Sequence, residues 1–175
     1  MREDWIAHGR DWTRAGFQAL AVHRFGAARA KIPSRVLRAP LSIAYRAMYR
    51  FVRNVYGIEI PHTARVGRRV VFEHQHGIVV HGRAVIGDDC IVRQGVTLGL
   101  RRLDRVDEAP VLGRGVDVGA GAKILGAIEI GDGAKIGANA VVLDPVPRGA
   151  LAVGVPARIV HRRGERRASV AARRA

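Results

Sequence analysis

A parallel β-solenoid preceded by a small α-helical region is the fold class this sequence predicts, and three observations carry that expectation. Over a long stretch every sixth residue is a large aliphatic: Val80, Ile86, Val92 and Leu98, then Leu112, Val118, Ile124, Ile130, Ile136 and Val142. Most repeat aliphatics are followed by glycine, at Gly67, Gly87, Gly99, Gly113, Gly119, Gly131 and Gly137. Small or slim residues, Ala84, Cys90, Val96, Val116, Ala122, Ala134 and Ala140, sit two positions before them. A period of six fits neither the 3.6 of a helix nor the 2 of a strand, so it describes short strands joined by tight corners. Each corner turns the chain by about a third of a circle, three hexapeptides close one coil, and coils stack about 4.8 Å apart through backbone hydrogen bonds. The glycines are expected at the corners, where positive φ is tolerated. The period does not fix the hand.

The region 1–57 has a different grammar, with no six-residue period and few glycines. Phe17, Leu20, Ala21 and Phe25 predict a short helix ending near Gly26. Leu37, Leu41, Ala44, Tyr45, Met48, Phe51, Val52 and Val55 recur at three and four, one face of a second helix with Pro40 in its first turn and Arg46, Arg50 and Arg53 mostly on other faces. A cap over the open end of the solenoid is the expected role, since stacked coils need one. A basic amphipathic helix making weak contact with a membrane surface is the competing reading.

The solenoid is expected over 58–160, with Ile60, Val66 and Phe72 extending the repeat backwards. It is broken twice. Two extra residues lie near Glu73-His74-Gln75-His76-Gly77, and the charged stretch 100–110, LRRLDRVDEAP, is too polar to continue the wall and is predicted to be an extruded loop. The segment 161–175, HRRGERRASVAARRA, reads as a basic, disordered tail.

Composition narrows the function classes. The 175 residues carry a formal net charge of +15, but arginine is dense before Ile58 and in the tail while the solenoid is mixed in sign, so no nucleic-acid partner is expected. The one cysteine, Cys90, occupies a small repeat position and is expected to be a buried structural thiol. The start lacks the basic and apolar blocks of a signal peptide, and no run approaches eighteen apolar residues; the expected compartment is the cytoplasm.

Chemistry concentrates at the first break, where His74, His76, His81 and His62 gather with Glu73. Neutral imidazole accepts a hydroxyl proton near working pH, and a carboxylate can orient the ring. Glu59, fifteen residues before His74, is the candidate for that second role, as a neighbour on an adjacent coil. A metal held by His74 and His76, two apart on one side of a strand, is the alternative.

The stretch from Glu59 to Ile159 resembles the left-handed β-helix of the hexapeptide-repeat acyltransferases, and within them the serine O-acetyltransferases, through EHQHGIVVHGRAVIG, GVTLG, VGAGAKILGAIEIGDGAKIGANAVVL and AVGVPARIV. GFQALAVHRFG is similar to the helical segment that precedes the β-helix in these enzymes. The resemblance implies an all-β left-handed parallel β-helix, a homotrimer with active sites between subunits, acetyl-CoA as co-substrate, no metal, and direct transfer to a small-molecule hydroxyl without an acyl-enzyme. It implies that His74 is the general base, that Glu59 orients it and that Glu73 holds serine. It also implies that Ala120 and Ala138 contact the pantetheine arm through their backbone and that Arg158 lies near the nucleotide phosphates. Two departures are visible. Where these enzymes carry an arginine and histidine before proline, this chain reads Glu108-Ala109-Pro110; like-charge repulsion from Glu108 opposes a carboxylate unless Arg101, Arg102 or Arg105 takes over. Its end, Arg173-Arg174-Ala175, lacks the terminal isoleucine that docks such enzymes into cysteine synthase, so no such complex is expected. Acetylation of a sugar hydroxyl in glycan assembly is the alternative reaction.

Overall fold

The computed structural model describes residues 1–160, and the expected basic tail lies outside them. From Ile58 onward the chain winds through five coils. The first is β1 (Ile58–Glu59), β2 (Arg65–Val66) and β3 (Val71–Glu73); the second is β4 (Ile78–Val80), β5 (Val85–Ile86) and β6 (Ile91–Arg93). The third is β7 (Thr97–Gly99), β8 (Val111–Leu112) and β9 (Asp117–Val118), and the fourth is β10 (Lys123–Leu125), β11 (Glu129–Ile130) and β12 (Lys135–Ile136). The fifth runs from β13 (Val141–Val142) to β14 (Leu151–Val153), and β15 (Arg158–Val160) turns back antiparallel on β14. Corresponding strands stack as three sheets, β1-β4-β7-β10-β13, β2-β5-β8-β11 and β3-β6-β9-β12-β14-β15, the three faces of a prism.

The repeat aliphatics form its interior. From Val80 to Val142 each is at most 3% exposed, and they stack in register: Leu98 on Ile124 on Val142, Ile86 on Leu112 on Ile130. The small residues two positions earlier are fully buried. Cys90 is one of them; burial pushes its thiol up to about 11, and its Sγ donates to the Gly113 carbonyl at 3.1 Å.

The glycines after the aliphatics have another cause than the expected one. None of the seven has positive φ. That conformation falls at the third position after the aliphatic, in Arg69, Asp89, Gly95, Gly115, Gly121, Gly133 and Asn139. A Cβ on Gly87 would lie 2.6 Å from the Gly113 carbonyl carbon, and one on Gly119 2.6 Å from the Ala138 nitrogen. The glycines let successive coils approach; the corners turn elsewhere.

The first coil leaves one rim of backbone groups without a further coil to pair with, and the helical region satisfies them. It comprises α1 (Arg2–Ala7), α2 (Ala15–Ala30) and α3 (Arg35–Phe51), the last continued by a π-helical turn, Val52–Tyr56, that ends at Gly57. The Phe72 amide donates to His8 Nε2 (3.3 Å), which leaves His8 Nδ1 to donate to the Asp4 carbonyl (2.7 Å). The Arg69 amide donates to Asp4 Oδ1 (3.1 Å), and Arg24 donates to the carbonyls of Val66 and Gly67. Asp4, His8 and His23 are buried; desolvation lowers the pKa of His8 and takes His23 to about 4. At the start of α2, a Cβ on Gly16 would overlap the Phe72 carbonyl, so helix and coil touch there directly.

Three expectations for this region are corrected. The first predicted helix runs through Gly26 to Ala30, because Gly26 is where α2 meets Tyr45 and His62; a Cβ there would sit 2.7 Å from the His62 Cβ. Pro40 lies in the second turn of α3, behind Ser34, whose hydroxyl caps the helix by accepting from the Leu37 amide. The apolar face of α3 is largely not buried: Tyr45 and Val52 pack inward, while Leu37, Met48, Phe51 and Val55 are exposed. No helix among the described residues is long and apolar enough to cross a membrane.

Candidate active site

The site begins at the corner between the third and first faces. There β3 ends at Glu73, the chain turns through His74 to Gly77, and β4 begins. His74, His76 and Gly77 all have positive φ (64°, 75° and 75°), so the turn is tight and His74 projects from an edge. His74 and His76 therefore do not sit two apart on a strand, as the metal reading assumed. His76 is built into the stack: its amide donates to the Tyr56 carbonyl (2.7 Å), and its carbonyl accepts from the Gly95 amide (3.0 Å). Among the described residues no group of three or more His, Cys, Asp or Glu is disposed to hold a metal ion.

A cleft of about 620 Å³ opens beside this corner, lined by Arg14, Ala15 and Gly16 of the cap and by Phe72, Glu73, His74 and Gln75 of the solenoid. The cap therefore builds one wall of the site, a consequence of the Gly16–Phe72 contact.

Two carboxylates flank the corner, one on each face. Glu73 points outward from β3 and pairs with Arg93 directly above it in β6 (Oε2 to Nε, 3.0 Å); Arg93 also binds Asp117 in β9. This Glu73-Arg93-Asp117 ladder was missed in the sequence. Its signal was the coil period, since Arg93 follows Glu73 by the same twenty residues that separate Ile58 from Ile78. Glu59 points outward from β1, where Tyr49 Oη donates to its Oε1 at 3.4 Å. It stacks on Val79, and the turn after His74 stacks on Tyr56 and Gly57 through His76 N–H to the Tyr56 carbonyl (2.7 Å) and Ile78 N–H to the Gly57 carbonyl (3.1 Å), so Glu59 and His74 flank the same corner. Among the described residues no hydrogen bond joins them.

Ala120 and Ala138 fall on the same edge as His74, at the corners that follow β9 and β12. The corners interlock by backbone bonds: Gly95 N–H to His76, Gly121 N–H to Gln94, Asn139 N–H to Ala120. Three coil steps separate His74 from Ala138, roughly 14 Å at about 4.8 Å per step. Arg158, exposed at the start of β15, pairs with Val153 at the end of β14, on the third face. One edge thus carries an imidazole at its near end and small residues along it, and the outermost strand of the adjoining face carries a basic side chain.

The loop 100–110 leaves from a different edge, after the first face, where Arg83 pairs with Asp107 (2.7 Å). Two of its arginines are engaged within it, Arg102 with Asp104 (3.0 Å) and Arg105 with Glu108 (2.8 Å).

Residues 109–144 match the family described as bacterial transferase hexapeptide (six repeats). The chain is 38% identical to the serine acetyltransferase of Synechococcus elongatus over 151 residues, 86% of this chain and 59% of that protein. Soybean serine acetyltransferase complexed with serine superposes with a TM-score of 0.74 at 41% identity, covering 85% of this chain and 58% of that one. Serine acetyltransferase of Brucella abortus in complex with coenzyme A superposes at 0.76 and 32% identity, covering 91% and 65%. The chain spans little more than half the length of these relatives.

Proposed function

The chain belongs to the hexapeptide-repeat acyltransferases in their serine acetyltransferase-like form, and from that premise we propose that it transfers an acetyl group from acetyl-CoA to the hydroxyl of serine. The observation that supports the reading is the single prism edge that carries His74, Ala120 and Ala138, with Arg158 on the neighbouring strand β15. Its length suits an extended thioester donor whose phosphates reach Arg158 and whose acyl end reaches His74. Acetyl-CoA supplies the activated acyl group as co-substrate. His74 accepts the hydroxyl proton as the oxygen attacks the thioester carbonyl, the carbon–sulfur bond breaks, and the imidazolium returns the proton to the departing thiolate. Glu59 stabilises the imidazolium as it forms. Glu73, held by Arg93, faces the ammonium group of the acceptor.

A homotrimer accompanies this reading. Loop 100–110 and His74 occupy different edges of one protomer, so a loop closes over the site only when a neighbouring copy brings its own edge alongside. Arg101, the loop arginine in no ion pair among the described residues, is the group that then meets the acceptor carboxylate. Light scattering is expected to give three times the chain mass of 19.0 kDa.

The test is release of free thiol from acetyl-CoA with serine, homoserine and a panel of sugars. Turnover with serine on the order of 10 per second, ordinary for a metabolic enzyme, is the expected result. Silence with serine and release with a sugar overturns the acceptor; silence with every acceptor overturns the reaction.

A further inference from the structure

One face of α3 is apolar and open to solvent. At about 100° per residue, Ile43, Val36, Ala47, Pro40, Phe51, Ala44, Leu37 and Met48 form one continuous stripe, with Arg35, Arg46 and Arg50 along its border. The stripe faces solvent: Val36 is 82% exposed, Ile43 68%, Leu37 65% and Phe51 52%. Its C-terminal end adjoins an apolar groove of about 540 Å³ between α2 and α3, with Trp12, 69% exposed, at its lip. The opposite side of α3 is the one that works inside the molecule, through Tyr45 in the core, Ser42 bonded to Arg29 and Tyr49 bonded to Glu59.

Charge identifies the occupant. From Thr13 to Ile58 the chain has nine arginines and lysines and no aspartate or glutamate. A second copy of this face would set arginine against arginine with no acid on either helix to pair with, a repulsive arrangement. A layer of anionic headgroups over an acyl interior complements both parts of the surface, apolar residues entering the boundary and arginines meeting phosphates. We infer that α3 is a membrane-surface anchor that lays its Val36–Phe51 stripe on anionic phospholipid, with Trp12 at the same interface. The catalytic edge is tied to the other side of the helix and stays in water, so docking leaves the site open. The inference does not depend on the acetyl-transfer reading.

Sedimentation of the full chain with vesicles tests it. Vesicles of phosphatidylcholine with 30% phosphatidylglycerol are expected to bind at least about tenfold tighter than phosphatidylcholine alone, and the difference should shrink as salt screens the arginines. Leu37→Asp with Phe51→Asp abolishes binding, and Arg46→Glu with Arg50→Glu removes the preference for anionic lipid, while circular dichroism and thiol release stay at parental levels. A full-length variant with the six arginines of 161–175 changed to serine still binds. The inference is overturned if the parent ignores anionic vesicles, if the tail variant alone loses binding, or if the aspartate pair splits a larger assembly in light scattering, which would make α3 an interface between copies.

Discussion

The solenoid and the helical cap place apolar residues by different rules, and the contrast explains what each can tolerate. In the solenoid the repeat aliphatics from Val80 to Val142 all point into the prism, so sequence position decides burial: Leu98, Ile124 and Val142 follow the period and all lie inside. In the cap, burial depends on which face of a helix meets the rim of the first coil, and the contacts that decide it are polar. Asp4, His8 and Arg24 satisfy backbone groups of Val66, Gly67, Arg69 and Phe72, while α3 turns Ser42, Tyr45 and Tyr49 inward and leaves its apolar face outward.

Four measurements bear on the difference between solenoid and cap. The largest effect is expected for Gly87→Ala, whose Cβ has only backbone to push against; overpacking of that kind should cost about 3 kcal/mol or more, read as a fall in denaturation midpoint. A well-folded Gly87→Ala protein would show that the coils are less closely stacked than described. Acid comes next. His23 is neutral in the folded state with a pKa of about 4, against about 6.5 when unfolded, so its stabilising contribution is complete above pH 6.5 and is lost as pH falls towards 4. The full loss is about 3 kcal/mol, and the lowered pKa of His8 acts in the same direction. Amide exchange at pH 4.5 should therefore open 1–57 while the amides of Leu98 to Val142 stay protected; uniform opening would contradict the division.

A smaller loss, about 1 kcal/mol, is expected for Gly115→Ala, where open space surrounds the new methyl group and only the left-handed backbone resists it. The smallest is Ile43→Ser on the open face of α3, within about 0.5 kcal/mol. A large loss there would mean that Ile43 is covered.

The same contrast decides what could be read from the sequence. The period, the two breaks and the buried Cys90 were legible because a coil fixes burial locally. The corner conformation was misassigned by two residues, since close stacking and left-handed φ both select glycine and a sequence does not separate them. His74 stood out because a histidine beside an interruption is conspicuous. Its surroundings did not: Arg93 and Asp117 are joined to Glu73 by stacking across coils, and Arg14 and Gly16 reach the cleft through docking of α2, neither of which leaves a local pattern.

In the proposed reaction His74 stands at one end of the edge along which the acyl donor would lie. His74→Ala, assayed for thiol release with serine and for CoA binding by calorimetry, tests that most directly. Turnover should fall by about two to four orders of magnitude while CoA affinity stays within a few-fold of the parent. Parental turnover in a folded His74→Ala protein would contradict the assignment.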